Sequence, residues 1–208
     1  MEGYIPPPLL KHPTFEVQGH EQNDAELSWL CTRLMRMECK SILEIGSRTG
    51  KTLQSFSHPC PLAPLYSIDI ARPAAWETTA RELVQEGRYL EWITRDSHEP
   101  YSVKWAEAHA PFDFIFIDGD HTLPGVAQDW YNYSPLASCV GLHDIDGQGE
   151  GVRRLWQDLA LVYPTSKKIA VPNSMGIGLI YMDERNSPLC PNCGRNAYGT
   201  PVKCEHCK

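Results

Sequence analysis

The stretch FDFIFID at residues 112–118 is the strongest strand signal in the sequence, and it decides the fold class. It is rich in β-branched and aromatic side chains and is bounded by Pro111 and Gly119. A nearly continuous apolar strand is typical of a parallel sheet whose two faces are both covered by helices. The stretch therefore predicts an α/β fold.

Strand and helix patterns alternate on both sides of this stretch. Before it, the sequence predicts strands at 41–45, 64–70 and 89–93 and helices that begin after Asn23 or Asp24, near Thr49, at 74 and at 102. After it come a helix at 124–133, a strand at 138–143, a helix at 151–162 and strands at 168–171 and 177–182. This alternation predicts a doubly wound, mostly parallel, Rossmann-like sheet, with ligands at the carboxyl ends of strands where their order reverses.

Composition and charge narrow the class of protein. The 208 residues carry a formal net charge of −7, from 19 basic and 26 acidic side chains, which opposes broad nucleic-acid binding. No apolar run approaches the length of a membrane span and no secretory leader precedes the first helix, so we expect a soluble, cytoplasmic protein. We expect an arm at 1–22, a body at 23–184 and a small appendage at 185–208.

The loop after the first strand reads Glu44-Ile45-Gly46-Ser47-Arg48-Thr49-Gly50-Lys51-Thr52. Its end copies a phosphate-binding P-loop, but three rather than four residues separate the two glycines, so the backbone cradle for phosphate does not form. The pattern that fits is E-x-G-x-x-x-G, an acid two positions before one glycine and a second glycine where the helix begins.

This pattern resembles motif I of the class I S-adenosylmethionine-dependent methyltransferases. Such a cofactor carries an amino group and a sulfonium cation, which need a nearby carboxylate, while glycine lets the backbone approach closely. The resemblance implies that Asp69 binds the ribose hydroxyls and that Asp96 and Ser97 hold the adenine amino group. In all, it assigns cofactor contacts to Glu44, Gly46, Ser47, Gly50, Asp69, Asp96, Ser97 and Asp118.

A second group of motifs follows the central strand. The stretch IDGDH at 117–121 continues through Gly125-Val126 and Asp129-Trp130, and GLHDID at 141–146 follows the next strand. Together they are similar to the methyltransferase group that includes small-molecule and sugar O-methyltransferases related to the cephalosporin hydroxylase family. The similarity spans about residues 40–182, and Arg48 in the glycine loop departs from it.

The resemblance implies a divalent ion and an acid–base group beside the cofactor. The ion, Mg²⁺ in relatives, would lie on Asp118 and Asp144, with His143 where relatives often carry an acid, and histidine favours a softer metal. His121 is a candidate general base for a hydroxyl proton. The alternative is that His121 pins its loop by hydrogen bonds, and the sequence leaves both roles open.

The C-terminal segment carries the pattern C-x₂-C and then C-x₂-C. These four cysteines, Cys190, Cys193, Cys204 and Cys207, have the spacing of a structural Zn²⁺ site, a ribbon or knuckle folded by its metal. A redox-active dithiol is the less favoured alternative, because redox CxxC motifs normally open a helix.

The sequence thus predicts a methyltransferase that uses S-adenosylmethionine, acts on a small-molecule or sugar hydroxyl and carries a zinc tail. Two other readings are an idle methyltransferase-fold adaptor that binds a protein partner through the tail, and a metal-dependent, hydroxylase-like relative. The sequence specifies neither the acceptor nor the oligomeric state.

Overall fold

The computed structural model describes residues 22–147, 149–163 and 166–182. In chain order the elements are α1 (Asp24–Met37), β1 (Ile42–Ile45), α2 (Lys51–Ser57), β2 (Leu65–Asp69), α3 (Ala74–Gln85), β3 (Leu90–Thr94), α4 (Pro100–His109), β4 (Phe112–Ile117), α5 (Leu123–Tyr133), β5 (Ala137–His143), α6 (Glu150–Val162), β6 (Lys167–Ile169) and β7 (Ile177–Tyr181). Each strand and helix that the sequence predicts is present, with ends displaced by one or two residues. The arm and the appendage expected from the sequence lie outside the described residues, apart from Gln22.

The strands form one sheet in the order β3-β2-β1-β4-β5-β7-β6. Strands β1 to β5 pair in parallel, whereas β7 runs antiparallel to β5 and β6 antiparallel to β7. From β1 the chain builds outward through β2 and β3, and then returns to add β4 and β5 on the other side of β1. The prediction of a mostly parallel α/β sheet is confirmed, and the strand order reverses between β1 and β4, where such folds bind ligands.

The central strand supplies side chains to two cores, one on each face of the sheet. Phe114 and Phe116 pack with residues of α1, α2 and α3, and both rings meet Phe56 of α2 edge to face. Ile115 and Ile117 pack on the other face with residues of α4, α5 and α6. Burial of each such side chain contributes about 1.5–3 kcal/mol, so this one strand holds both helical layers against the sheet.

Helix α1 begins where the sequence predicts. The side chain of Asn23 caps it by accepting the backbone N–H groups of Ala25 and Glu26. Four of its apolar side chains fall on the predicted face and are buried: Leu27, Leu30, Cys31 and Leu34.

A fully buried acid of the same helix anchors a distant turn. The carboxylate of Glu26 accepts the N–H groups of Val171 (3.0 Å) and Gly176 (3.2 Å), together with the hydroxyl of Ser174. These residues form the turn between β6 and β7. Helix α1 therefore fixes the far edge of the sheet through a polar contact.

The turn between β6 and β7 also supports the loop after β5. The backbone N–H of Asp146 donates to Met175 O at 2.8 Å, and that of Ile145 donates to Gly176 O. The position of the residues that follow β5 thus depends on α1.

Two further observations concern the cysteines and the length and polarity of the helices. Four free, buried cysteines belong to the described part of the chain: Cys31, Cys39, Cys60 and Cys139. Among the helices of these same ranges, none is both long and apolar enough to cross a membrane.

Candidate active site

The reversal of strand order opens a cavity of about 520 Å³ at the carboxyl ends of β1 to β4. Its walls come from the loops that follow these four strands, and its size suits a small organic ligand or cofactor. The wall includes these residues predicted to contact the cofactor: Gly46, Ser47, Asp69, Asp96, Ser97 and Asp118.

The loop after β1 packs directly against the end of β4. Gly46 has a φ of 84°, and a Cβ built on it would lie 2.2 Å from the carbonyl oxygen of Asp118. Only glycine allows this conformation and this approach together. Glycine at this position thus brings the first two cavity loops into contact.

Arg48, which departs from the family pattern, adopts the conformation that a glycine would supply. Its φ is 45°, and its backbone N–H donates to Asp69 Oδ2 at 2.5 Å. The N–H of Ala71 donates to Asp69 Oδ1 at 2.8 Å. The carboxylate that is expected to bind ribose is therefore held in place by two backbone groups and faces the cavity.

Glu44 and Gly50 are predicted cofactor residues that lie behind the cavity wall. Glu44 is 1% exposed, and its burial, with Asp118 nearby, raises the pKa of its carboxyl well above the usual range. Gly50 has a φ of 77°, and a Cβ there would lie 2.6 Å from the ring of Trp76. The carboxyl oxygen Oε2 of Glu44 is buried without a hydrogen-bond partner, and Gly50 makes room for the Trp76 ring.

The loop after β3 supplies Asp96, Ser97 and His98 to the cavity. His98 is held between two acids, with Nε2 at 3.2 Å from Asp129 Oδ1 and Nδ1 at 3.5 Å from Asp96 Oδ1. Ser97 Oγ donates to the same Asp129 oxygen at 2.6 Å. The sequence analysis quoted Asp129 as part of a motif without giving it a role.

Two acids and two histidines form one cluster at the ends of β4 and β5, and two of its members, Asp118 and His121, line the cavity. His121 joins the acids, with Nε2 at 3.1 Å from Asp118 Oδ1 and Nδ1 at 2.8 Å from Asp144 Oδ2. His143 Nδ1 lies 3.1 Å from Asp118 Oδ1 and 3.0 Å from Asp144 Oδ1. The structure therefore brings together all the predicted catalytic residues.

The charges of this cluster stabilise one another. Hydrogen bonds to Asp118 and then Asp144 raise the pKa of His121 to about 10. Burial opposes the charge of His143, but its hydrogen bonds to the same two acids raise its pKa to about 10. Burial likewise opposes ionisation of the two acids, yet the histidines hold the pKa of both carboxyls below the usual range. Two carboxylates thus face two imidazolium rings at neutral pH.

The backbone at Asp144 is strained. Its φ is 61°, a left-handed conformation that costs a non-glycine residue about 1–2 kcal/mol. Such conformations occur preferentially at functional sites, where they aim a side chain.

The divalent ion expected on Asp118, His143 and Asp144 stays a prediction of the resemblance. In the described ranges, no group of three or more His, Cys, Asp or Glu side chains is arranged to hold a metal ion. The carboxylate oxygens face the imidazole nitrogens instead, and these rings already balance the acidic charge. The expected zinc ligands Cys190, Cys193, Cys204 and Cys207 lie outside the described residues.

Gln22 is a cavity residue that sequence reasoning missed. Its side chain is 9% exposed, and its Nε2 donates to Asp118 Oδ2 at 2.8 Å. This bond leaves Asp118 Oδ1 for the two histidines. Gln22 stands next to the first helix without any motif around it, so no local signal identifies it.

Arg72 is the second missed residue, and it ties three strand ends together. Its guanidinium donates to Ser47 Oγ (2.8 Å), Ser67 Oγ (2.9 Å) and Ile93 O (3.1 Å). It also stacks on Trp76, 3.8 Å from the ring centroid. The only sequence signal is a basic residue shortly after the acid of β2.

This doubly wound, mostly parallel sheet with a cavity at its switch point has the fold of the class I methyltransferases. Residues 43–145 match a family model described as a methyltransferase domain. The protein is an enzyme, a methyltransferase.

Solved structures share this fold at low sequence identity. The O-methyltransferase TomG of Streptomyces achromogenes, involved in tomaymycin synthesis and solved with the cofactor, is 20% identical, with 76% of this chain and 80% of that chain covered and a TM-score of 0.58. An O-methyltransferase of Bacillus cereus in complex with S-adenosylhomocysteine is 17% identical, with 78% and 83% covered and a TM-score of 0.56.

MycE of the mycinamycin biosynthetic pathway, solved with Mg and S-adenosylhomocysteine, is 16% identical, with 78% of this chain and 55% of that chain covered and a TM-score of 0.53. Among curated proteins, sequence comparison finds no match.

Proposed function

We propose that this enzyme transfers the methyl group of S-adenosylmethionine to a hydroxyl oxygen of a small molecule or sugar. The observation that carries the proposal is the continuity of the site. The cavity of about 520 Å³ is lined by both Asp118 and His121, and both belong to the charged cluster. A cofactor in the cavity would therefore present its methyl group next to an acid–base cluster.

The walls of the cavity suit the parts of this cofactor one by one. Asp69 would accept hydrogen bonds from the two ribose hydroxyls, and Asp96 with Ser97 would face the adenine. Gly46 would let the backbone approach the methionine part, whose sulfonium cation is attracted by the carboxylate of Asp118. The wall carries acids where the cofactor is cationic or offers donors.

The reaction forms one bond and breaks one. A lone pair of the acceptor oxygen attacks the methyl carbon, the C–O bond forms, the S–CH₃ bond breaks, and S-adenosylhomocysteine is released. The hydroxyl proton must leave as the oxygen becomes an ether, and His121, a half-exposed residue of the cavity wall, would accept it.

His121 can serve as this base only after losing a proton, because its pKa of about 10 keeps the ring charged at neutral pH. The sulfonium of the bound cofactor places a positive charge beside Asp118, which repels the imidazolium and lowers its pKa. We expect the rate of methyl transfer by the native protein to rise with pH, and the rate of His121→Asn to be independent of pH. Pinning the loop, the alternative role, predicts instead that His121→Asn weakens cofactor binding.

Metal assistance stays an expectation of the resemblance, with Asp118, His143 and Asp144 as the residues that would hold the ion. The Mg belongs to the MycE structure, and no step here is routed through an ion. The donor set of two acids and two histidines is balanced by its own protons.

The tail is proposed to bind Zn²⁺ through Cys190, Cys193, Cys204 and Cys207, on the strength of their spacing. A folded zinc tail would offer a surface for a protein partner. The four free, buried thiols of the body support a reducing, cytoplasmic location.

A thermal-shift titration tests the cofactor. S-adenosylhomocysteine at one hundred times its Kd adds about 2.7 kcal/mol to the stability of the protein and so raises the Tm. Asp69→Ala should weaken the affinity at least about tenfold, because it removes hydrogen bonds to a charged group. Asp158→Ala, an exposed acid on α6, is the matched control. No shift of the native protein at millimolar ligand would overturn the proposal.

A further inference from the structure

One face of α5 is hydrogen-bonded to the loop that follows β3. Gly125, Asp129 and Tyr133 are spaced four residues apart, so they share one side of the helix. Gly125 O lies 3.1 Å from His98 Nε2, Asp129 Oδ1 accepts Ser97 Oγ at 2.6 Å, and Tyr133 donates its hydroxyl to Ser97 O at 2.6 Å. Both loop residues line the cavity.

Asp129 is the central one of these three α5 residues and is fully buried. Its Oδ1 serves Ser97 and His98, whereas its Oδ2 has no hydrogen-bond partner. Burial raises the pKa of its carboxyl to about 6, and the acids Asp96 and Asp120 add to the effect while Ser97 and His98 oppose it. A buried carboxyl is unfavourable for the stability of the core, and its bonds go to cavity residues rather than to core residues.

The contacts of Ser97 and His98 define what the loop offers to a ligand. The Nε2 atom of His98 faces two acceptors, Gly125 O and Asp129 Oδ1, and its Nδ1 atom lies 3.5 Å from Asp96 Oδ1, so the ring is occupied by contacts within the protein. The hydrogen of Ser97 Oγ is used on Asp129. Ser97 Oγ and the carboxylate of Asp96 are thus two acceptors that the loop presents at the cavity wall.

We propose that Asp129 is a positioning residue that fixes Ser97 Oγ as an acceptor beside Asp96 and so sets the preference for a base with an exocyclic amino group. The inference rests on the proposed function, because it requires the base of the cofactor at this end of the cavity. Adenine brings a donor to these acceptors. Hypoxanthine brings a carbonyl oxygen, which acceptors repel, and polar sites of this kind discriminate strongly.

Isothermal titration with S-adenosylhomocysteine and its deaminated analogue, S-inosylhomocysteine, tests this assignment. We expect the native protein to prefer the adenine compound by at least about a hundredfold. In Asp129→Ala the preference should fall below about tenfold, with adenine binding weakened at least about tenfold. Asp129→Asn keeps an acceptor for Ser97 and should retain most of the preference. Gln128→Ala, an exposed neighbour on α5, is the control.

Tyr133→Phe provides an independent variant, because it removes only the hydroxyl that holds Ser97 O, and it should reduce the same preference. Equal weakening of both ligands in Asp129→Ala would mean a purely structural role and would overturn the inference, as would unchanged binding. A native protein that binds S-adenosylhomocysteine without preferring it over the analogue would refute the inference but leave the proposed function standing. A native protein that binds neither ligand would overturn the proposed function, and the inference with it.

Discussion

Replacing Glu26 by alanine tests how the sheet is held together around the site. The carboxylate is fully buried and receives three hydrogen bonds, from Val171, Ser174 and Gly176. In the variant without this carboxylate, the N–H of Val171 can still donate to Ser174 Oγ, which lies 3.2 Å away. The hydroxyl of Ser174 can still donate to Val171 O, which lies 2.8 Å away. Only the N–H of Gly176 loses its carboxylate partner without a substitute among these contacts.

The expected loss of stability follows from this count. One buried donor without a partner costs about 1–3 kcal/mol, and weaker partners for the other two add to it, so we expect a loss of about 3 kcal/mol. For a domain of this size, the Tm should fall by about 6–12 °C. Circular dichroism melts of the full chain give the value directly. Glu77→Ala, an exposed acid in the first turn of α3, should shift the Tm by less than about 2 °C.

Glu26→Gln separates charge from shape. It keeps the volume and one acceptor oxygen but turns an amide N–H₂ towards donors, so its Tm should lie between those of the native protein and Glu26→Ala. A Tm of Glu26→Ala equal to that of Glu77→Ala would refute the reasoning.

Three further predictions concern the loop, the charged cluster and the tail. Gly46→Ala places a Cβ 2.2 Å from Asp118 O at a φ of 84°, so S-adenosylhomocysteine binding measured by calorimetry should be lost, and native affinity would contradict the close approach. The raised pKa of His143 gives stability that is present below its unfolded pKa of about 6.5 and is lost as pH rises through about 10. The unfolding free energy should therefore fall between pH 7 and 10 more steeply in the native protein than in His143→Gln, and parallel curves would count against this. Mass spectrometric metal analysis should find about one zinc per chain, lost in Cys190→Ser but kept in Cys139→Ser; zinc retained in Cys190→Ser would speak against the four-cysteine site.

The fold was predictable because its signals are local. Apolar runs such as 112–118 are long enough to mark strands, and Asn23 marks the first helix by its own side-chain bonds. The antiparallel pairing of β7 was not predictable, because orientation depends on which strand it meets rather than on its own residues.

The candidate site was predictable where residues close a strand. Asp69 is the last residue of β2 and Asp118 directly follows β4, and parallel strands bring such positions to one edge of the sheet. Glu44 shares the motif spacing but occupies a position inside β1, and alternate residues of a strand face opposite sides of the sheet. A motif gives the order of residues, whereas strand parity decides which side chain enters the cavity.

The remaining site residues depend on contacts between distant parts of the chain. Gln22 and Asp118 are 96 positions apart, and Asp129 reaches Ser97 across 32 positions. Arg72 joins three strand ends that only the sheet brings together. Such contacts leave no periodic or spaced pattern in the sequence.

The position of the cofactor is tested most directly by crystallography of the protein grown with S-adenosylhomocysteine. The account predicts continuous density along the carboxyl ends of β1 to β4, with ribose oxygens within about 3 Å of Asp69 and the sulfur facing the side of Asp118 and His121. Density for the nucleoside elsewhere on the surface, or a cavity filled by protein side chains in a protein that still binds the ligand, would contradict it.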